Sequence, residues 1–122
     1  MSRAAFTRLV EAALERIPDE FRQAMENVQI VVEDWPDPDL MEEVAGDPDE
    51  VLYGLYTGTP LPDRGADYGN TTPDVIALYR GPLEEDFPDR EELIYEIEVT
   101  LVHEIAHYFG FDEEILERYG YD

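Results

Sequence analysis

The chain has no cysteine in its 122 residues. Disulfides and thiolate metal sites are therefore excluded, any bound metal must be held by nitrogen and oxygen, and the redox compartment is left undetermined. Lysine is absent as well. Eight arginines stand against 31 Asp and Glu, for a formal net charge of −23. A field of that sign repels phosphates at long range, which argues against nucleic acid and anionic membranes as partners and favours basic or neutral ligands. Scattered carboxylates also serve simply to keep a small protein soluble. Long apolar runs are missing too, and none approaches the roughly 20 residues that span a bilayer. The opening "MSRAAFTRLVEAALERIP" spaces Phe6, Leu9, Val10, Ala13, Leu14 and Ile17 by three and four with charges between them. This is an amphipathic helix and not a signal peptide, so the cytoplasm is the expected address.

The length suits one domain, residues 1–122, with a modest core. After Pro18, "DEFRQAMENV" supplies a short second helix. Val28 to Glu33 form a β-branched run ended by "PDPD", the first expected strand. "LMEEVAG" reads as a helical turn, Val51 to Gly58 as a second strand and Val75 to Gly81 as a third. The proline- and glycine-rich loop before the third strand has room for a short edge strand around Ala66 to Asn70. From Asp89 the period becomes helical: Ile94, Ile97, Leu101, Ile105 and Tyr108 share one face, flanked by Val102 and Phe109. Gly110 suits the left-handed residue that closes such a helix, and Asp112 is a natural N-cap for a last helix ending near Tyr119.

Histidine occurs only twice, at His103 and His107, inside "VTLVHEIAHYFGFDEE". Two randomly placed histidines fall four apart in roughly one such sequence in sixty, and a glutamate follows the first in about one in seven. Coincidence is a poor explanation. At about 100° per residue, His107 lies roughly 40° around the helix and one turn along from His103, so one rigid element aims both imidazoles at one point. Glu104 sits about 60° beyond His107, placed to reach a metal-bound water without displacing it. The same side carries Glu92, Glu96 and Thr100, a polar face suited to lining a cleft. The plainer alternative is a solvated helix face with two ordinary histidines.

Two imidazoles and a carboxylate suit zinc, whose catalytic sites use three protein ligands and keep a fourth position for water. No third histidine exists, so the third ligand is acidic. Glu113 occupies the slot where a longer H-E-x-x-H-x-x-G-x-x-H pattern has its last histidine, and it is the first choice. Asp112 is the neighbouring candidate, with a competing capping role, and Glu114 and Glu117 stay open.

With "GLYTGTPL", "PDVIALYRGPL" and "HEIAHYFGFDEE" in this order, residues 28 to 121 resemble the small bacterial zincin-like metallopeptidases, also called minimal zincins. The resemblance implies an α+β zincin-like fold, with a small mixed β-sheet of three to four strands packed on the helix that carries H-E-x-x-H. It also implies a zinc site built on His103, Glu104 and His107, and peptidase activity. Two departures stand out. The family commonly has aspartate at the slot of Glu113, and no methionine follows the motif, so a Met-turn is absent.

The expected reaction is peptide-bond hydrolysis by a zinc-activated water, with Glu104 as general base and proton carrier. Both histidines being ligands, a tyrosine such as Tyr119 or Tyr121, an arginine or backbone donors would assist at the oxyanion. The expected partner is a peptide or protein substrate, basic ones favoured. Two rivals are an acidic, noncatalytic binding protein with a structural zinc, and a zinc hydrolase of nonpeptide amides. A structural site is closed by four protein ligands and needs no glutamate beside the first histidine.

Overall fold

The computed structural model describes residues 1–45, 52–58 and 74–121, the side chains of 42–45 excepted. Helix α1 spans Arg3–Arg16; the Ser2 side chain caps it by accepting from the Ala5 N–H, and Phe6, Leu9, Val10 and Ala13 are buried as their spacing requires. Leu14 on the same stripe is only half-buried. Pro18 opens α2, Asp19–Ala24, which places the fully buried Phe21 in the core. Strand β1 is Val28–Glu33. The expected turn at "LMEEVAG" is a full helix, α3, Pro38–Ala45.

Strand β2, Gly54–Thr57, is shorter than the expected Val51 to Gly58, and Val51 lies outside the described residues. Strand β3 is Asp74–Tyr79. It ends two residues before the expected Gly81, because Arg80 already begins helix α4, Arg80–Asp86. Pro82 falls in the first turn of α4, where its missing N–H costs nothing. Gly81 donates its N–H to the Asp34 carbonyl at 2.8 Å, and a Cβ there would meet the Trp35 ring at 2.3 Å. The residue that looked like a strand end is thus the point where α4 crosses Trp35. The edge strand expected around Ala66 to Asn70 falls outside the described residues.

The three strands form one mixed sheet in the order β1-β3-β2, with β1 parallel and β2 antiparallel to β3. Ile76 faces Ile30 on one side and Tyr56 on the other. Being central, β3 buries Ile76 and Leu78 completely.

Helix α5, Arg90–Phe109, is 20 residues long and joins the elements: it touches α1, α2 and α4 as well as β2 and β3. Asp89 caps it by accepting from the Glu92 N–H, and Gly110 closes it at φ 71°. With helices and sheet both packed on it, its buried surface is wider than one stripe. Leu93, Val102, Ala106 and the carboxylate-bearing Glu98 are buried beside Ile94, Ile97, Leu101 and Ile105. Tyr108 is instead half-buried and Phe109 is 41% exposed, since the last turn runs past the core. Helix α6, Glu113–Tyr119, follows with Asp112 as its N-cap. Among the described residues no helix is long and apolar enough to cross a membrane.

Candidate active site

The buried Ile105 and Ala106 pin the last turns of α5 to the core and leave His103 and His107 exposed on the opposite side. What closes the site is the reversal after Gly110. Its left-handed backbone sends the Phe111 N–H back to the Ala106 carbonyl at 2.9 Å, and α6 then runs beside the histidine pair. A cleft of about 560 Å³ results, lined by His103, His107, Gly110, Phe111, Glu113 and Tyr121 among others.

The acidic cluster after the glycine separates by role. Asp112 accepts from the Ile115 N–H at 2.9 Å and is the helix cap. Glu113 is exposed and lines the cleft, whereas Glu114 and Glu117 do not.

Glu104 does not line this cleft. On a 100° wheel, Ala106 and Glu104 flank the two imidazoles on opposite sides, so the cleft lies toward Ala106 and α6 while Glu104 turns toward β2. There its Oε1 accepts the Tyr56 backbone N–H at 3.1 Å. Burial pushes the Glu104 carboxyl above the usual carboxylate range, against the Tyr56 hydrogen bond and the attraction of His107 and His103. Farther along the helix, burial and the neighbouring Glu92 raise Glu96 as well. Thr100 faces β2, where a Cβ on Gly54 would meet its methyl at 2.7 Å. Glycine there lets strand and helix approach closely.

The segment after α6 also reaches the site. Gly120, at φ 81°, ends α6, and the Tyr121 N–H returns to the Leu116 carbonyl at 2.9 Å. The Tyr121 carbonyl then meets His103 Nε2. Since a carbonyl only accepts, Nε2 is the donor in this contact. Tyr121 itself is buried against Phe21, and its hydroxyl donates to the buried Glu98 Oε2 at 2.5 Å. Tyr119 turns away and bonds Glu20. Neither tyrosine presents a hydroxyl to the histidines.

The donor chemistry, two imidazoles and a carboxylate on one cleft, fits a zinc ion. No three His, Asp or Glu side chains among the described residues gather around one point, so Glu113 stands at the cleft without closing on the pair. Sequence reasoning missed Tyr56 and Glu98. Glu98 had a signal, since it lies four residues after Ile94 and four before Val102, on the buried side of the period. The Tyr56 amide had none, because its partner is 48 residues away.

A small mixed sheet packed on a helix that carries H-E-x-x-H, with the chain reversing at a glycine three residues after the second histidine, defines a zincin-like α+β protein. The model of the family described as "Zincin-like metallopeptidase" matches residues 25–121, and the chain belongs to that family. Its fold is similar to that of a conserved hypothetical protein from Thermus thermophilus. The TM-score is 0.56 at 25% identity, over 96% of this chain and 99% of the other. No curated protein matches the chain.

Proposed function

We propose that the protein is a zinc-dependent peptidase, with His103, His107 and Glu113 as the metal-holding residues and Glu104 as the general base. One observation carries this reading: the histidine pair stands between a cleft lined by Glu113 on one flank and the Glu104 carboxylate on the other. When bound, zinc supplies a Lewis acid that polarises a peptide carbonyl and makes a water acidic enough to react near neutral pH. The protein's own part is positional and protonic. Helix α5 fixes both imidazoles and Glu104 in one rigid frame. Glu104, with Oε1 on the Tyr56 amide, takes the water proton at Oε2 and delivers it to the departing amine. The hydroxyls of Tyr121 and Tyr119 are engaged with Glu98 and Glu20, so backbone donors are better placed to assist at the oxyanion. With a net charge of −23, basic peptides are the favoured substrates, and association should be fastest at low salt.

The test is elemental analysis with a peptide-library digest. Wild type should carry one zinc per chain, and His103→Ala and His107→Ala should lose it. Glu104→Gln should keep zinc and lose about 10² to 10⁴ in rate. Unchanged zinc in both histidine variants would sink the metal assignment, and undiminished cleavage by Glu104→Gln would move the base elsewhere.

A further inference from the structure

The strand β2 backbone meets the candidate base at one place, and the ladder explains why. The Tyr79 N–H donates to the Tyr53 carbonyl at 2.9 Å, which makes 53 and 79 a hydrogen-bonded pair. In an antiparallel ladder bonded and non-bonded pairs alternate, so with Tyr56 opposite Ile76 the Tyr56 N–H points away from β3. It points at α5, where Glu104 Oε1 accepts it.

Three further contacts fix that amide in place. The Tyr56 ring stacks on Tyr108, one helical turn after Glu104, with centroids 3.9 Å apart and planes 16° apart. The same ring meets Phe109 nearly at right angles. Its hydroxyl donates to Asp74 Oδ2 at 2.6 Å, on the first residue of β3. Asp74 is only 8% exposed, and Gly58 leaves it room, since a Cβ there would meet its carboxylate at 2.5 Å. Tyr56 therefore ties β2 to both α5 and β3 at the level of Glu104. A glutamate with three rotatable bonds, left alone, would sample many orientations; one charge-assisted bond to a fixed amide selects among them.

We infer that Tyr56 is the positioning residue of the active site: its side chain anchors the strand, and its backbone N–H holds Oε1 of Glu104 so that Oε2 is presented to the histidine pair. The assignment of Glu104 as base rests on the reading given under Proposed function, but the bond itself is measured without hydrolysis.

Amide hydrogen exchange of the full chain as purified decides the bond. In wild type the Tyr56 amide should be protected, and Glu104→Ala should speed its exchange about 10- to 100-fold, as expected for losing a hydrogen bond to a charged acceptor. The Ala77 amide, on the neighbouring strand, should stay as it was. Unchanged protection at Tyr56 overturns the inference. The role is decided by Tyr56→Ala, which keeps the N–H, against Tyr56→Pro, which removes it at a position where the ladder does not need it. The side-chain carboxyl carbon signal of Glu104 should move somewhat in Tyr56→Ala, which loosens the anchor but keeps the amide, and move further in Tyr56→Pro, with kcat falling further in the proline variant at similar KM. Equal signals and equal kcat in the two variants would overturn the positioning role. Should the proline variant fail to fold, the exchange comparison still stands. A wild type that cleaves nothing would count against the peptidase reading alone, leaving the amide and carboxyl signals to judge Tyr56.

Discussion

Asp112 and Glu113 are adjacent in the chain and serve different neighbours: the Asp112 carboxylate accepts from the Ile115 N–H of its own helix, while Glu113 lines the cleft with the two histidines. Their substitutions should therefore separate. Asp112→Ala should cost about 1 kcal/mol of stability through the lost cap and weaken zinc binding little. Glu113→Gln should leave the metal-free fold as stable as wild type and weaken zinc binding more than Asp112→Asn does. Denaturant midpoints and competitive zinc titrations check both; a reversed ranking of affinities would hand the third ligand position to Asp112.

The buried bond between Tyr121 and Glu98 should be the more costly one to break. Tyr121→Phe removes the donor and leaves Glu98, 8% exposed, without its 2.5 Å partner. A loss of about 1.5–3 kcal/mol is expected, the range for hydrogen bonds to charged groups. Glu98→Gln should cost less, since an amide still pairs with the hydroxyl. Because Tyr121 also brings its carbonyl to His103, the His103 ring signals in a nuclear magnetic resonance spectrum should move in Tyr121→Phe more than those of His107.

Stability should fall at alkaline pH for a reason that can be assigned. Burial and the hydrogen bond to Asp86 push the Tyr53 phenol up to about 12, from about 10 in an unfolded chain. The folded state thus holds this proton more tightly than the unfolded state does. The contribution is fully present below about pH 10 and is lost as pH rises toward about 12. Tyr53→Phe should flatten part of that decline, measured as the denaturant midpoint between neutral and alkaline pH. The same slope in the variant would assign the effect to Tyr79 and Tyr121, which burial also raises.

What could be read in the sequence follows how far each contact reaches along the chain. The boundaries of α5 and the start of α6 were legible because Asp89, Gly110 and Asp112 each act within about one turn of their own position. The H-E-x-x-H geometry was legible for the same reason, as a helix fixes the spacing. Strands β1 and β3 showed as β-branched runs, but their parallel pairing did not, and neither did the switch from β3 to α4, which depends on Asp34 and Trp35 far upstream. At the site, the hidden parts were the long-range ones. Tyr56 meets Glu104 across 48 residues, Tyr121 meets Glu98 across 23, and Tyr121 meets His103 across 18. No local periodicity encodes such meetings.

The two helices that frame the cleft are tethered very unequally. Eight side chains of the 20-residue α5 are buried, while the seven-residue α6 buries Leu116 alone and is otherwise held by its cap, by the half-buried Ile115, by Tyr119 against Phe21 and Glu20, and by Tyr121 after it. Short, lightly anchored elements open in small local events, and long central ones open only when the whole fold does. By that difference the imidazole pair belongs to the part of the fold that opens last, whereas Glu113 and the Tyr121 carbonyl belong to a part that opens more readily.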